Sequence, residues 1–204
     1  MSHFKFIFDE YKLIFYLMNI NMNIINLDHN ITTLKSALIF SKAANQEIMI
    51  SYCIKELKLV MFDIRAGHPE SPNSVSGGKF EHGRIIAHTH LNNTPPSNRD
   101  LITMIFTTAI NQTAFHIVIS DTHIYAYYPT PRLVKRVRQI FEECGISHSN
   151  NTKHVYEFKH IYLKQWMELI KNLIRRTNIR KNNQEEWIRG LKSIGIIMNV
   201  FDYV

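Results

Sequence analysis

The chain holds little cysteine. Cys53 and Cys144 are its two, far apart and outside any C-x-x-C pair. That excludes a disulfide framework and a cysteine-built zinc cluster, and it points to a reducing intracellular compartment, the cytoplasm being the expectation. A long apolar run is missing too. The best one, Leu13 to Ile25, is broken by Asn19, Asn21 and Asn23 and preceded by Asp9, Glu10 and Lys12. It is too short and too polar to span a membrane, so no membrane role is expected. A basic start with a small-residue cleavage site is absent, which argues against a secretory signal. No internal repeat is present, which excludes a solenoid reading.

What is there is an ordinary globular composition: 204 residues, 45% hydrophobic and 20% charged. That length allows one substantial core with an appended helical region. Charge is unevenly spread. Residues 1–130 hold 10 Lys and Arg against 10 Asp and Glu, whereas residues 131–204 hold 14 against 7, which is the whole net charge of +7. The shift marks a boundary near Pro129-Thr130-Pro131. Three segments result: an N-terminal extension over 1–21, a body over 22–130, and a basic, mostly helical region over 131–204.

Within the body, Leu34, Ala37, Leu38 and Phe40 to Ala44 predict a short helix from Thr32 to Ala44. Glu47 to Ile54 and Leu57 to Ile64 read as strands joined by a tight turn at Lys55-Glu56. Gly67 to Gly83 is dense in Gly, Pro, Ser and Asn and reads as a loop. Arg84 to His90 is strand-like, and a helix with Leu101, Met104, Ile105 and Ala109 on one face runs from Asn98 to Asn111. Phe115 to Ser120 and His123 to Tyr128 form a hairpin around Asp121-Thr122. The order is that of an α/β sandwich. Beyond Thr130 the stripes Leu133, Val137, Ile140, Phe141, Cys144, then Phe158 to Leu173, then Trp187, Leu191, Ile194 predict helices, with Gly145 ending the first.

The chemistry concentrates in His88-Thr89-His90, a six-residue turn-forming stretch, and Ser97-Asn98-Arg99-Asp100. Alternate side chains of a strand share a face, so His88 and His90 point one way and Thr89 the other. Two imidazoles at a strand end are half of a divalent-metal site. A loop that turns the chain back brings Asp100, in the first turn of the next helix, to the same point. Three protein ligands leave the fourth tetrahedral position open, the catalytic arrangement for zinc. Ser97-x-x-Asp100 before an apolar run reads equally as a capping box, with Ser97 at the N-cap.

This order of motifs resembles the JAMM, or MPN-type, metalloproteases. Their signature is a distant Glu, then His-Ser/Thr-His, seven residues, Ser, two residues and Asp. The likeness covers about residues 22–128 and implies an MPN-like, cytidine-deaminase-like fold, a sheet sandwiched by helices, with a helical C-terminal region after it. It implies His88, His90 and Asp100 as Zn2+ ligands, Ser97 as a stabiliser of the oxyanion, and an upstream Glu as general base. It also implies a bond to ubiquitin or a ubiquitin-like protein as the substrate. Glu47 heads the right strand, 41 residues before His88, and is the chosen base; Glu56, Glu70 and Glu81 are the rivals. The chain departs from the pattern at three points. The loop after His90 is one residue short, Leu91 stands where a proline is common, and Ile50 replaces the glycine of Glu-x-x-Gly. These departures sustain an alternative, a catalytically silent MPN-like scaffold in a larger assembly.

In the basic region, Lys135, Arg136 and Arg138 cluster, as do Arg175, Arg176, Arg180 and Lys181. Phosphate binding needs such clusters. No nucleic-acid motif accompanies them, and Trp166 and Trp187 fall on apolar stripes rather than between the charges. A solvated face or a surface for a protein partner fits better than a nucleic-acid site.

Overall fold

Apolar residues spaced for helices and for strands alternate along the body, and the computed structural model shows what they build. It describes residues 27–55, 58–67, 84–111, 115–143, 168, 172 and 183–202. Helix α1 (Leu27–Ala44) begins at Leu27 rather than at Thr32, and Leu34, Ala37, Leu38 and Ser41 form its buried side. It ends on Asn45 in a left-handed conformation (φ 51°). Asn45 N–H donates to the Lys42 carbonyl at 3.1 Å and Gln46 N–H to the Ser41 carbonyl at 3.0 Å. This is a Schellman ending, which satisfies the last carbonyls while turning the chain. It delivers Glu47 to the head of β1 (Ile48–Lys55).

Strand β2 (Lys58–Ala66) returns antiparallel beside β1, with a bulge opposite Ser51 and Tyr52. On the other side of β1 lies β3 (Arg84–Thr89), antiparallel, with Met49 opposite His88. Helix α2 (Asn98–Asn111) then carries the chain to β4 (Phe115–Ile119), which runs parallel to β3. Parallel neighbours require such a crossover. Strand β5 (His123–Pro129) closes the hairpin with β4. Helices α3 (Pro131–Glu143) and α4 (Gln184–Ser193) follow, and β6 (Ile196–Asp202) pairs antiparallel with β5. The sheet is six-stranded and mixed, in the order β2-β1-β3-β4-β5-β6.

Two apolar layers cover it. On one face α1 packs on β1, β3 and β4 through Leu34 and Leu38 against Ile50, Tyr52, Ile85, Ala87 and Ile117. On the other, Leu101, Met104 and Ile105 of α2, Val137 of α3 and Trp187 and Leu191 of α4 meet Val118, Tyr125, Tyr127 and Met198. The α/β class and a sheet between helices are therefore as expected, and α2 has the expected limits. All four apolar residues assigned to the face of α2 are buried.

Besides α3 and α4, the C-terminal stretch supplies β6, a strand the sequence reading did not give. Ile196 and Met198 face one layer while Ile197 and Phe201 pack on the other, so both sides of the strand are apolar. A short apolar run of that kind looks the same in a helix or a strand. Gly195 enters it with φ 90°, and an added Cβ there would lie 2.8 Å from Thr130 Oγ1. Thr130 caps α3, its Oγ1 accepting from Leu133 N–H at 3.3 Å. In α3, Val134 is buried beside Val137, a position the sequence stripe omitted. Lys135 and Arg136 are exposed, but Arg138 turns inward and its Nε donates to the Ala109 carbonyl at 2.9 Å, at the end of α2. Residues 1–21, the loop 68–83, Gly145, the stripe 158–173 apart from Glu168 and Asn172, and the Arg175–Lys181 cluster lie outside the described residues. Among the described residues no helix is long and apolar enough to cross a membrane.

Candidate metal centre

The site lies at the end of β3, where the strand stops and the chain leaves for α2. His90 N–H still donates to the Ile119 carbonyl at 2.8 Å, extending the parallel β3–β4 register by one residue past the strand. That bond keeps the strand alternation through His90. His88 and His90 consequently share the α2 face, and both are buried. Their Nε2 atoms lie 3.2 Å apart. The loop 91–96 then folds back and places Asp100 over them, with Oδ1 3.3 Å from His88 Nε2 and Oδ2 3.4 Å from His90 Nε2. The loop is one residue shorter than the family spacing, and the carboxylate still arrives.

Both readings of Ser97-x-x-Asp100 hold at once. Ser97 Oγ accepts from Asp100 N–H at 3.2 Å and Asp100 Oδ2 accepts from Ser97 N–H at 2.6 Å, the two bonds of a capping box. The cap fixes the rotamer that aims the carboxylate at the histidines. Ser97 Oγ spends an acceptor site on this cap, and its side chain also hydrogen-bonds the Asp100 carboxyl.

The donor set could hold a metal ion. One ligand atom from each of the three residues lies within 4.8 Å of the other two, close enough to share one ion. Among the described residues, His88, His90 and Asp100 form the one such trio of His, Cys, Asp or Glu. His90 is oriented as a ligand should be. Its Nδ1 lies 3.0 Å from the Thr94 carbonyl and 3.1 Å from Thr94 Oγ1. A carbonyl only accepts, so Nδ1 carries the proton and Nε2 presents its lone pair to the centre.

Glu47 belongs to the same neighbourhood. It is buried, 8% exposed, and its carboxyl feels the fields of His88, His90 and Asp100. Burial raises its pKa; the two histidines pull it back, and Asp100 adds to the rise. Among the described residues its carboxylate has no hydrogen-bond partner. Ile50, at the position of the family's glycine, is 1% exposed and packs in the opposite layer under α1. It therefore bears on the core and does not crowd the site. Glu56, Glu70 and Glu81 lie outside the described residues.

Mutual hydrogen bonds and charge shift both Asp100 and His90. Burial alone would raise the Asp100 carboxyl, but hydrogen bonds from His88 and His90, the charge of His88 and the Ser97 bond hold it far below the carboxylate range. Burial would lower His90; the hydrogen bond and charge of Asp100, with Glu47 and the Thr94 carbonyl, outweigh it and raise the imidazole. His116 shows the opposite case. Burial pushes it down to about 3, with the charge of His88 adding to the drop and Asp100 opposing it, and its Nε2 lies 2.9 Å from Thr107 Oγ1. It is a neutral core histidine.

Sequence reasoning missed Thr94, whose carbonyl sets the His90 tautomer. It sits in a polar turn-forming run, and nothing in residue type or spacing singles it out. No family model, curated protein or solved structure matches this chain.

Proposed function

We propose that the chain is a zinc-dependent metalloprotease of the JAMM type, an isopeptidase acting on bonds to ubiquitin or a ubiquitin-like protein. The observation that carries the reading is the convergence of ligand atoms from His88, His90 and Asp100 within 4.8 Å of one another, with the buried Glu47 beside them. When bound, zinc supplies Lewis-acid activation of a water and of the scissile carbonyl at neutral pH. The residues do the rest. Glu47 takes a proton from the attacking water, and a carboxyl raised by burial is the better base for it. As oxygen adds to the carbonyl carbon, the Ser97 hydroxyl, turning from Asp100, donates a hydrogen bond to the developing oxyanion. Glu47 then returns the proton to the nitrogen as the C–N bond breaks, releasing a carboxylic acid and an amine, which ionise to carboxylate and ammonium as the acid's proton passes to the amine.

The substrate class comes from the family resemblance rather than from the pocket, and the test addresses both. Isopeptide-linked diubiquitin and a panel of ubiquitin-like conjugates are incubated with the parent and with Glu47→Gln, with zinc quantified in each. The expected result is cleavage by the parent, and a Glu47→Gln chain that keeps its zinc and cleaves nothing. A folded parent that cleaves none of the panel transfers the weight to the scaffold reading. That reading draws on one observation of its own: Ile39 and Phe40 on α1 are 68% and 67% exposed, an apolar pair suited to a protein partner.

A further inference from the structure

Thr89 stands between the two histidines and points away from them, into the layer under α1. Its Oγ1 lies 2.9 Å from Ile48 N and 2.7 Å from Ser41 Oγ, and Ser41 Oγ lies 2.6 Å from the Gln46 carbonyl oxygen. Both hydroxyl side chains are fully buried. The proton directions follow from elimination. The Gln46 carbonyl only accepts, so Ser41 donates its one proton there. The Ser41–Thr89 contact therefore uses the Thr89 proton, and Thr89 Oγ1 in turn accepts from Ile48 N–H. One chain of bonds results, running from Ile48 N–H through Thr89 and Ser41 to the carbonyl of Gln46.

That chain begins and ends on the two neighbours of Glu47. Two further backbone groups there are tied as well: Gln46 N–H to the Ser41 carbonyl at 3.0 Å, and the Glu47 carbonyl to Gly67 N–H at 2.7 Å. The turn that carries Glu47 is thus bolted to the residue lying between His88 and His90. We infer that Ser41 and Thr89 are a positioning pair that sets the Glu47 carboxylate relative to the two histidines. The inference rests on the proteolytic reading for its effect on rate, but the bonds themselves can be tested without turnover. A general stabilising role would alter melting and leave the rate per folded molecule unchanged. A positioning role alters kcat, because a base displaced by about 1 Å loses on the order of 10²-fold in rate.

Thr89→Val keeps the shape and removes the hydroxyl; Thr89→Ser keeps the hydroxyl; Ser41→Ala breaks only the last link. Each is compared with the parent for zinc content, for kcat and KM on diubiquitin, and for hydrogen exchange at the Ile48 amide. Thr89→Val is expected to bind zinc as the parent does and to lose about 10²-fold in kcat at unchanged KM. It should add nothing in a Glu47→Gln background and should expose the Ile48 amide to exchange while Val118 stays protected. Thr89→Ser restores most of the rate, and Ser41→Ala falls in the same direction by less, which decides the matter if Thr89→Val does not fold. Parent-like kcat in Thr89→Val and Ser41→Ala overturns the inference, as does loss of zinc together with turnover, since Thr89 would then be holding the histidines. A parent that cleaves nothing retires the proteolytic reading alone. The pair is then judged by the Ile48 amide, where lost protection supports it and retained protection overturns it.

Discussion

The two faces of β3 carry opposite chemistry within three consecutive residues. On the α2 side, His88 and His90 bring two imidazole nitrogens to 3.2 Å with the Asp100 carboxylate above them. On the α1 side, Thr89 joins a closed set of hydroxyl bonds inside an otherwise apolar layer of Ile50, Tyr52, Ile85 and Ala87. The first face gathers like donors whose mutual approach makes sense around a cation. The second pairs the buried hydroxyls of Ser41 and Thr89 with each other and with backbone, as a low-dielectric layer favours, and leaves Tyr52 Oη without a partner among the described residues. Substitutions on the two faces should therefore separate: one set changes ion binding and rate, the other changes stability or placement.

The largest effect expected on the open face comes from Asp100→Asn. It replaces an anionic ligand by an amide of the same shape, so zinc and turnover should both vanish, read by metal analysis and hydrolysis of diubiquitin. Unchanged zinc would reduce Asp100 to a helix cap and erase the contrast between the faces. Ser97→Ala comes next. It should keep its zinc, lose about 10²-fold in kcat as an oxyanion donor does, and lower stability by about 1 kcal/mol through the missing cap. A Ser97→Ala enzyme with full kcat confines that residue to capping.

On the closed face, Ile50→Ala removes side-chain volume from a 1% exposed position. It should cost about 2–5 kcal/mol in denaturant unfolding while leaving zinc affinity of the folded chain as it was. Loss of zinc at constant fold would show that the layer under α1 shapes the site directly.

The smallest effect is one of pH, and its sign is fixed by the trio. In the metal-free chain the His90 pKa is raised, so its stabilisation is full below the ordinary value of about 6.5 and fades as pH rises through the folded value. The Asp100 carboxyl is depressed, so its contribution is present above about 3.9 and is lost as pH falls further. The metal-free chain should thus melt highest in mildly acidic buffer. Zinc needs a neutral His90 and should add more to the melting temperature as pH rises toward 7.5, by roughly the log-linear law of ligand stabilisation. A pH-independent increment, measured by calorimetry with and without zinc, would contradict the coupling between His90 and Asp100.

Legibility differs between the same two regions. The open face could be read from the sequence because strand alternation and a capping box are local: His88, His90, Ser97 and Asp100 lie within 13 residues, and α2 has the limits its periodicity gave. Glu47 was reachable through the family resemblance, since it opens β1 after the Schellman turn. The closed face was not. Ser41 and Thr89 are 48 residues apart, and their bond exists only once α1 packs on β3. Strand β6 escaped notice for a related reason. Its apolar residues serve both layers, so neither a period of two nor one of 3.6 stands out. Thr94 acts through its backbone carbonyl, and side-chain identity says nothing about that.

The most direct test of the account is the zinc content of the purified chain, set beside His88→Ala and His90→Ala, with folding checked by circular dichroism. The account predicts near-stoichiometric zinc in the parent and none in either variant, both still folded. A folded parent that takes up no zinc when supplied with it, or variants that hold as much as the parent, would contradict the assignment of His88, His90 and Asp100 as a metal centre.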